Sequence, residues 1–168
     1  MQVGIFQVDC GSIYDGEAVD TITGLDYLEG ETVAVLADGI SVGPKVVESG
    51  QITLDEPASY VIVGLPFTTT IKTLKPDGIT QDGTALGRKM RVSNPVLHFY
   101  KTGIGVQYGP DETRLKDVPD LEDGELKTVD APAHMPGGHD TDGQIIIETS
   151  EPLPMNLLAV SYDVTPGD

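Results

Sequence analysis

The chain has 168 residues, of which 39% are hydrophobic and 22% charged, and its formal net charge is −17. This composition is typical of a globular protein and excludes a disordered chain, and no apolar run is long enough to span a membrane as a helix. Because so acidic a surface repels nucleic-acid phosphates, we expect no tight binding of DNA or RNA.

Turn signals divide the sequence into short segments. Asp-Gly occurs six times, and this dipeptide favours tight hairpin turns because Asp tolerates the left-handed backbone region and Gly adopts positive φ without steric cost. Ser49-Gly50 is a further signature of a short hairpin. The six Asp-Gly pairs are Asp15-Gly16, Asp38-Gly39, Asp77-Gly78, Asp82-Gly83, Asp123-Gly124 and Asp142-Gly143.

Between these turns lie alternating or β-branched runs, which are typical of strands. Tyr60–Leu65 is nearly all apolar, and this predicts a strand buried on both faces. The predicted strands, in chain order, are Val3–Val8, Val19–Thr23, Thr32–Ala37, Lys45–Glu48, Gln51–Leu54, Tyr60–Leu65, Thr68–Leu74, Lys89–Tyr100, Ile104–Tyr108, Gln144–Glu148 and Met155–Asp163.

The last two of these strands predict a hairpin joined by Ser150–Pro154. Simple alternation divides the last strand between two faces. One face is predicted to carry Leu158, Val160 and Tyr162, and the other Leu157, Ala159 and Ser161.

Residues 109–138 are poorly patterned, and 111–130 hold eight acidic against three basic residues. We interpret this segment as a long β-excursion or a surface loop. The sequence as a whole predicts an all-β fold, an antiparallel β-sandwich or barrel with a long irregular excursion near 109–138. We expect one β-module over residues 1–168, or alternatively two subdomains, 1–86 and 87–168, and we expect the chain to be a fragment of a larger protein.

The sequence contains no nucleophile-elbow, phosphate-loop or zinc-protease motif. We therefore predict no enzymatic activity, no catalytic, cofactor-binding or metal-binding residues, and no cofactor. His98, between Leu97 and Phe99 in a predicted strand, is interpreted as a packed or half-exposed structural residue. The single cysteine, Cys10, excludes an internal disulfide, and we interpret it as a small strand or turn residue in preference to a catalytic thiol.

Two short stretches have spacings close to those of metal sites. His134 and His139 could approach one ion, but a closed zinc site needs four ligands and the chain lacks the thiolates. The segment from Asp140 to Glu151 has the length of a calcium loop, yet Gly143 falls too early for that motif, so a turn is predicted instead. Carboxylate pairs such as Asp55-Glu56 and Asp111-Glu112 lie beside prolines and indicate solvated loops.

Three stretches resemble, together and in order, a known group of viral proteins. The stretches are Gly24–Gly39 (GLDYLEGETVAVLADG), Gln51–Phe67 (QITLDEPASYVIVGLPF), and Pro136–Gly143 (PGGHDTDG) continuing to Glu151–Met155 (EPLPM). They are similar to the C-terminal region of structural proteins of short-tailed bacteriophages, described as tail nozzle, tail tubular or packaged-DNA-stabilisation proteins. The similarity spans roughly residues 7–163.

This resemblance implies a virion protein of the tail that is assembled in the cytoplasm of the bacterial host. It implies other tail proteins as partners, and a homo-oligomeric ring of the full-length protein around the path of the DNA. The larger upstream region of such proteins is absent from this sequence. The family has no catalytic residues to carry over.

The first functional hypothesis is a structural component of a phage tail, in the nozzle, the tail tip or a DNA-retaining ring. Its acidic surface would face the DNA path and let DNA pass without tight binding. The alternative is a partner-binding or receptor-binding β-module of a phage or prophage particle, with the 109–138 segment as the contact. A third hypothesis, a carbohydrate-cleaving tail enzyme, requires a pocket with two converging carboxylates.

Overall fold

The computed structural model describes residues 7–76, 79–80, 83–84, 89–121, 125–135 and 143–166. These segments are mainly antiparallel β-strands, with two short 3₁₀ helices at Asp26–Leu28 and Pro119–Leu121. The all-β prediction is confirmed, and none of the described sheets closes into a barrel. In this part of the chain, no helix has the length and apolar character that crossing a membrane requires.

The chain forms two compact units, and each is discontinuous in sequence. The first unit comprises Met1–Thr68 and Ser150–Pro154, and the second comprises Thr69–Thr149 and Met155–Asp168. The division therefore lies after Thr68 and differs from the alternative boundary between residues 86 and 87. Within the first unit, the Gln7 N–H donates a hydrogen bond to the Pro152 carbonyl at 3.2 Å.

The first unit contains one five-stranded antiparallel sheet in the order β1-β5-β2-β3, with β4 also paired to β2. Its strands are β1 (Asp9–Thr23), β2 (Thr32–Ala37), β3 (Ile40–Ser41), β4 (Lys45–Val46) and β5 (Gln51–Leu65). β5 lies between β1 and β2, and Val61, Ile62 and Val63 are all buried. The predicted burial of this strand on both faces is confirmed.

The end of β5 is determined by two residues, Gly64 and Pro66. A Cβ atom at Gly64 would lie 2.7 Å from the Asp9 carbonyl oxygen and 2.8 Å from the Val8 side chain, so only glycine fits there. The strand ends at Leu65, because Pro66 has no N–H to donate to the sheet. β1 can therefore pack closely against this end of β5.

Two of the predicted turns are confirmed in the first unit. Asp38 and Gly39 have φ of 49° and 88° and join β2 to β3, with Ala37 paired to Ile40. Ser49 and Gly50 have φ of 54° and 67° and connect the Glu48–Gln51 bridge. Positive φ at both central residues is the geometry whose twist matches two antiparallel strands.

The prediction of a hairpin turn at Asp15-Gly16 is wrong. These residues lie inside β1, where the register with β5 shifts between Asp15 and Val19. The pair marks a bulge, in which extra residues are accommodated without reversing the chain. Asp77-Gly78, Asp123-Gly124, Asp82, Asp142 and residues 3–6 of the predicted first strand lie outside the described residues.

The second unit contains a four-stranded sheet, a three-stranded sheet and a two-stranded ribbon. The four-stranded sheet has the order β11-β10-β13-β6, formed by Lys116–Asp117, Val106–Gly109, Ile146–Thr149 and Thr69–Lys72. The three-stranded sheet has the order β12-β9-β14, formed by Lys127–Pro132, Met90–Thr102 and Leu157–Pro166. The ribbon pairs β7 (Ile79–Thr80) with β8 (Gly83–Thr84).

The core of the second unit joins the two larger sheets. Leu97 and Phe99 of β9 belong to the same buried cluster as Val106 and Tyr108 of β10 and Ile147 of β13. Residues from both sheets therefore share one apolar interior. This is the sandwich arrangement expected from the sequence.

The predicted hairpin between residues 144–148 and 155–163 is wrong. β13 pairs with β10 and β6, whereas β14 pairs with β9 in the other sheet. The connection Ser150–Pro154 belongs to the first unit, so the chain leaves the sandwich between the two strands. Sequence proximity favoured a local pairing that the tertiary fold does not use.

The segment 109–138 is a β-excursion where the structure describes it. It contributes β11, the 3₁₀ helix Pro119–Leu121 and β12, which forms an edge of the three-stranded sheet. Val118, Leu121 and Ala131 are buried in the sandwich core. The described part is therefore packed into the second unit through its few apolar residues.

We predict that Phe99→Ala lowers the free energy of unfolding by about 3–5 kcal/mol, because it removes a buried ring and leaves a cavity. Phe99 is 1% exposed, whereas its neighbour Tyr100 is 45% exposed on the opposite face of β9. Tyr100→Ala is the matched control and should lose less than half as much in urea-unfolding measurements. Equal losses in the two variants would contradict the described orientation of β9.

Candidate functional site

The outer face of the three-stranded sheet carries a connected set of polar side chains. His98 lies on the central strand β9, Asp130 on β12 and Ser161 on β14. His98 Nδ1 lies 2.7 Å from Asp130 Oδ1, and His98 Nε2 lies 3.0 Å from Ser161 Oγ. The imidazole therefore links the two edge strands through both of its nitrogens.

Strand alternation places His98 outside and its neighbours inside. Leu97 and Phe99 are buried in the core, so the side chain between them faces the opposite side of β9. Asp130 pairs directly with His98 in the β12–β9 register. Its neighbours Val129 and Ala131 contribute to the core, so Asp130 also faces outward.

A bulge in β14 determines where Ser161 lies. Leu157 pairs with Phe99 and Ala159 pairs with His98, so Leu158 is an additional residue in β14. The predicted division of this strand is wrong at its first two residues, because Leu157 packs against the core and Leu158 is 68% exposed. From Ala159 to Tyr162 the alternation holds, and Ser161 is exposed on the face of His98.

When Asp130 is ionised, the hydrogen bonds determine which nitrogen of the His98 imidazole carries the proton. A carboxylate only accepts hydrogen bonds, so the Nδ1–H must donate to Asp130. A neutral imidazole then has a lone pair on Nε2, and the Ser161 hydroxyl donates to it. This is the order of groups found in serine-nucleophile catalysis, in which a carboxylate orients the imidazole that accepts the hydroxyl proton.

This arrangement is open to solvent. The His98 and Asp130 side chains are 30% and 74% exposed. Further along the same sheet, Asn94 Nδ2 donates to Asp163 Oδ2 at 3.0 Å, and the Lys101 ammonium lies 5.5 Å from the centre of the Tyr100 ring. The face is thus a hydrated polar surface with scattered apolar side chains.

The other residues weighed from the sequence are not brought together into a site in the described structure. Cys10 is exposed in β1 with φ of 50°. His134 is exposed, and its backbone N–H donates to Tyr108 Oη at 2.9 Å, while His139 and Asp140 lie outside the described residues. No group of three His, Cys, Asp or Glu among the described residues could hold a metal ion.

The two carboxylate pairs differ in their partners. Asp55 accepts a hydrogen bond from Lys45 Nζ at 2.9 Å inside β5, and not in the solvated loop that was predicted. Asp111 lies in a loop and accepts hydrogen bonds from Arg114 Nε at 2.7 Å and from the Thr113 hydroxyl at 2.6 Å. These contacts, the Arg114 bond first, lower the pKa of Asp111 from 3.8 to about 2.

A third carboxylate, Glu29, connects a loop to a hairpin in the first unit. Its two carboxylate oxygens accept the backbone N–H groups of Ser49 and Gly50 at 2.9 and 2.6 Å. The Gly50 bond, followed by the Ser49 bond, lowers the pKa of Glu29. The carboxylate thereby satisfies two donors of the positive-φ turn, which indicates a structural role.

The acidic residues of 111–130 do not lie on one sheet. Asp117 is on β11 of the four-stranded sheet and accepts a hydrogen bond from Gln107 Nε2 at 2.8 Å. Asp130 is on β12 of the three-stranded sheet. Negative charge is therefore distributed over both layers of the sandwich.

No motif in the sequence marks the cluster of His98, Asp130 and Ser161. His98 and Ser161 lie in predicted strands, but no strand was predicted over β12, which carries Asp130. The last strand, β14, was predicted to pair with residues 144–148 and not with β9. With the correct strand order, the outward positions of three adjacent strands would have identified the cluster.

We predict a pH dependence at Asp111. Its folded-state pKa of about 2 lies below the ordinary 3.8, so the ionised form stabilises the folded state above 3.8 and this contribution is lost as pH falls toward 2. Asp111→Asn should remove the stability difference in that window, measured by thermal unfolding against pH. Arg114→Gln should raise the Asp111 pKa toward 3.8 in a carboxyl NMR titration; an ordinary pKa in the unmodified protein would contradict the prediction.

Comparison of this chain with models of known protein families and with curated proteins finds no match. The assignment of a function therefore depends on the residues of the chain and their arrangement.

Proposed function

We propose that this chain is a structural β-module of a bacteriophage tail, in the nozzle, the tail tip or a DNA-retaining ring. The proposal depends on the resemblance of three stretches of its sequence to structural proteins of short-tailed phages. One structural observation supports it: the first two stretches, Gly24–Gly39 and Gln51–Phe67, contribute the two central strands of a single sheet. Their strands, β2 and β5, pair directly from Ala34–Gly64 to Ala37–Val61.

Buried side chains from both stretches contribute to the core of the first unit. Val33, Val35, Val61 and Val63 form part of one buried cluster. The loop after Gly24 is tied to the hairpin at Ser49-Gly50 through the Glu29 carboxylate and through a hydrogen bond from the Leu25 N–H to the Gly50 carbonyl at 2.9 Å. These contacts give both stretches a structural role in the first unit, which is the role that the resemblance implies.

The packing of the 109–138 segment favours assembly over receptor binding. A recognition loop is expected to project from the scaffold, with few buried apolar contacts. Val118, Leu121 and Ala131 are instead buried, and β12 is hydrogen-bonded to β9 along its length. The described part of this segment is a component of the scaffold, although its outer side chains remain available to a neighbouring tail protein.

The acidic charge supports passage of DNA without retention. The chain carries 27 acidic and 10 basic residues. Because each Lys or Arg contact to a phosphate adds to binding through counterion release, an acidic surface beside the DNA path gives DNA little to adhere to. Acidic side chains lie on both layers of the sandwich and on β1 and not on one face, so the charge favours solubility at least as much as it repels DNA.

The proposal is tested directly by locating the protein in virus particles. Particles released by the organism that encodes the chain should contain its peptides in stoichiometric amounts by mass spectrometry. Antibodies against the folded chain should label the tail tip in electron micrographs. Detection only in the cell lysate, and never in purified particles, would remove the virion assignment.

We also predict that the purified chain does not retard double-stranded DNA in a mobility-shift assay, even at low salt. Proteins that bind DNA non-specifically have dissociation constants of about 10⁻⁴–10⁻⁶ M at physiological salt. A variant with Lys at Asp9, Asp15, Glu17 and Asp20 of β1 should gain salt-sensitive binding. Retardation by the unmodified chain would contradict the expected electrostatic repulsion.

A further inference from the structure

We propose that Ser161 is an activated nucleophile that accepts an acyl group from activated esters, with His98 as general base and Asp130 as a positioning residue. This inference goes beyond the structural role and does not depend on it. It rests on the two hydrogen bonds of the imidazole, 2.7 Å from Nδ1 to Asp130 Oδ1 and 3.0 Å from Nε2 to Ser161 Oγ.

The order of the three groups gives the site its chemistry. A serine hydroxyl is a weak nucleophile unless a neighbouring base accepts its proton as it attacks. Ionised Asp130 holds the Nδ1–H of His98, which leaves Nε2 free to accept that proton. If Asp130 were hydrogen-bonded to Ser161 in place of His98, no basic nitrogen would lie beside the serine hydroxyl.

The sheet holds the groups in place. His98 is on the central strand β9, which is paired on one side with β12 and on the other with β14. Direct pairing sets Asp130 beside it, and the bulge at Leu158 sets the register that places Ser161 within reach. Groups positioned by adjacent strands are held more firmly than groups on loops.

The proposed reaction is a balanced acyl transfer. Ser161 Oγ attacks the ester carbonyl, an Oγ–carbon bond forms, and the bond from the carbonyl carbon to the leaving oxygen breaks. The serine proton passes to His98 Nε2 and then to the leaving oxygen or to water. Water then attacks the acyl-serine with His98 again accepting a proton, which releases the carboxylic acid and restores Ser161.

The openness of the site sets the substrate class. Ser161 is exposed and the Asp130 side chain is 74% exposed, so the attacking group is accessible but little sheltered from water. Such a site suits small esters with good leaving groups, which need little stabilisation of the tetrahedral oxyanion. Tyr100 lies two residues beyond His98 on β9 and is 45% exposed, and it offers an apolar surface to an aryl leaving group.

The test uses the full chain and p-nitrophenyl acetate. We expect one acetyl group per chain, mapped by peptide mass spectrometry to Ser161, and release of nitrophenolate at a rate at least about tenfold above that of Ser161→Ala, the low end expected for a positioned general base. Ser41→Ala is the matched control, because Ser41 Oγ donates to the Glu151 carboxylate at 2.8 Å and has no described imidazole partner. It should react like the unmodified chain.

Asp130→Asn separates a chemical role from a structural one. An asparagine amide can donate to Nδ1 and keep the hydrogen bond, but it places the imidazole proton on Nε2, where the serine proton must go. The variant should therefore retain its unfolding temperature and lose labelling about tenfold, and Asp130→Glu should restore part of the rate. Acetyl groups on lysines alone, or equal rates for Ser161→Ala, Asp130→Asn and the unmodified chain, would overturn the proposal.

Discussion

The two-residue period of a central β-strand is the constraint on which the second unit depends. In β9, every inward position must fill the sandwich core, and every outward position is left to solvent. Leu97 and Phe99 meet the first requirement, and both are nearly fully buried. The same geometry then requires His98 to project from the other face, between the two edge strands. The core and the polar cluster are thus two results of one strand register.

Local features of the sequence predicted part of this fold. The apolar run Tyr60–Leu65 and the turns at Asp38-Gly39 and Ser49-Gly50 are confirmed, because burial on both faces and positive φ leave direct traces in residue type. Asp15-Gly16 is the same dipeptide as the turn at Asp38-Gly39, but β1 continues through it and pairs with β5 on both sides of it. An Asp-Gly dipeptide predicts a local backbone conformation, but it does not show whether the chain reverses in a hairpin turn or continues through a β-bulge.

Long-range pairing could not be predicted from the sequence. β13 and β14 are neighbours in the chain, yet they pair in different sheets, with Ser150–Pro154 passing through the first unit between them. The bulge at Leu158 changes which leucine faces the core, and no single residue type marks it. The cluster of His98, Asp130 and Ser161 depends on both features. The sequence shows that these residues are present, but it does not predict that their side chains lie within hydrogen-bond distance.

Among the described strands, the 15-residue β1 is an edge of its sheet, and an edge strand normally offers unpaired backbone groups to any other extended chain. Its sequence carries Asp9, Asp15, Glu17 and Asp20 without a single basic residue, and its register with β5 is broken by bulges. Like charges and a broken register make two copies of β1 poor partners for each other. The sheet therefore has, in the acidity and irregularity of β1, a built-in protection against edge-to-edge aggregation.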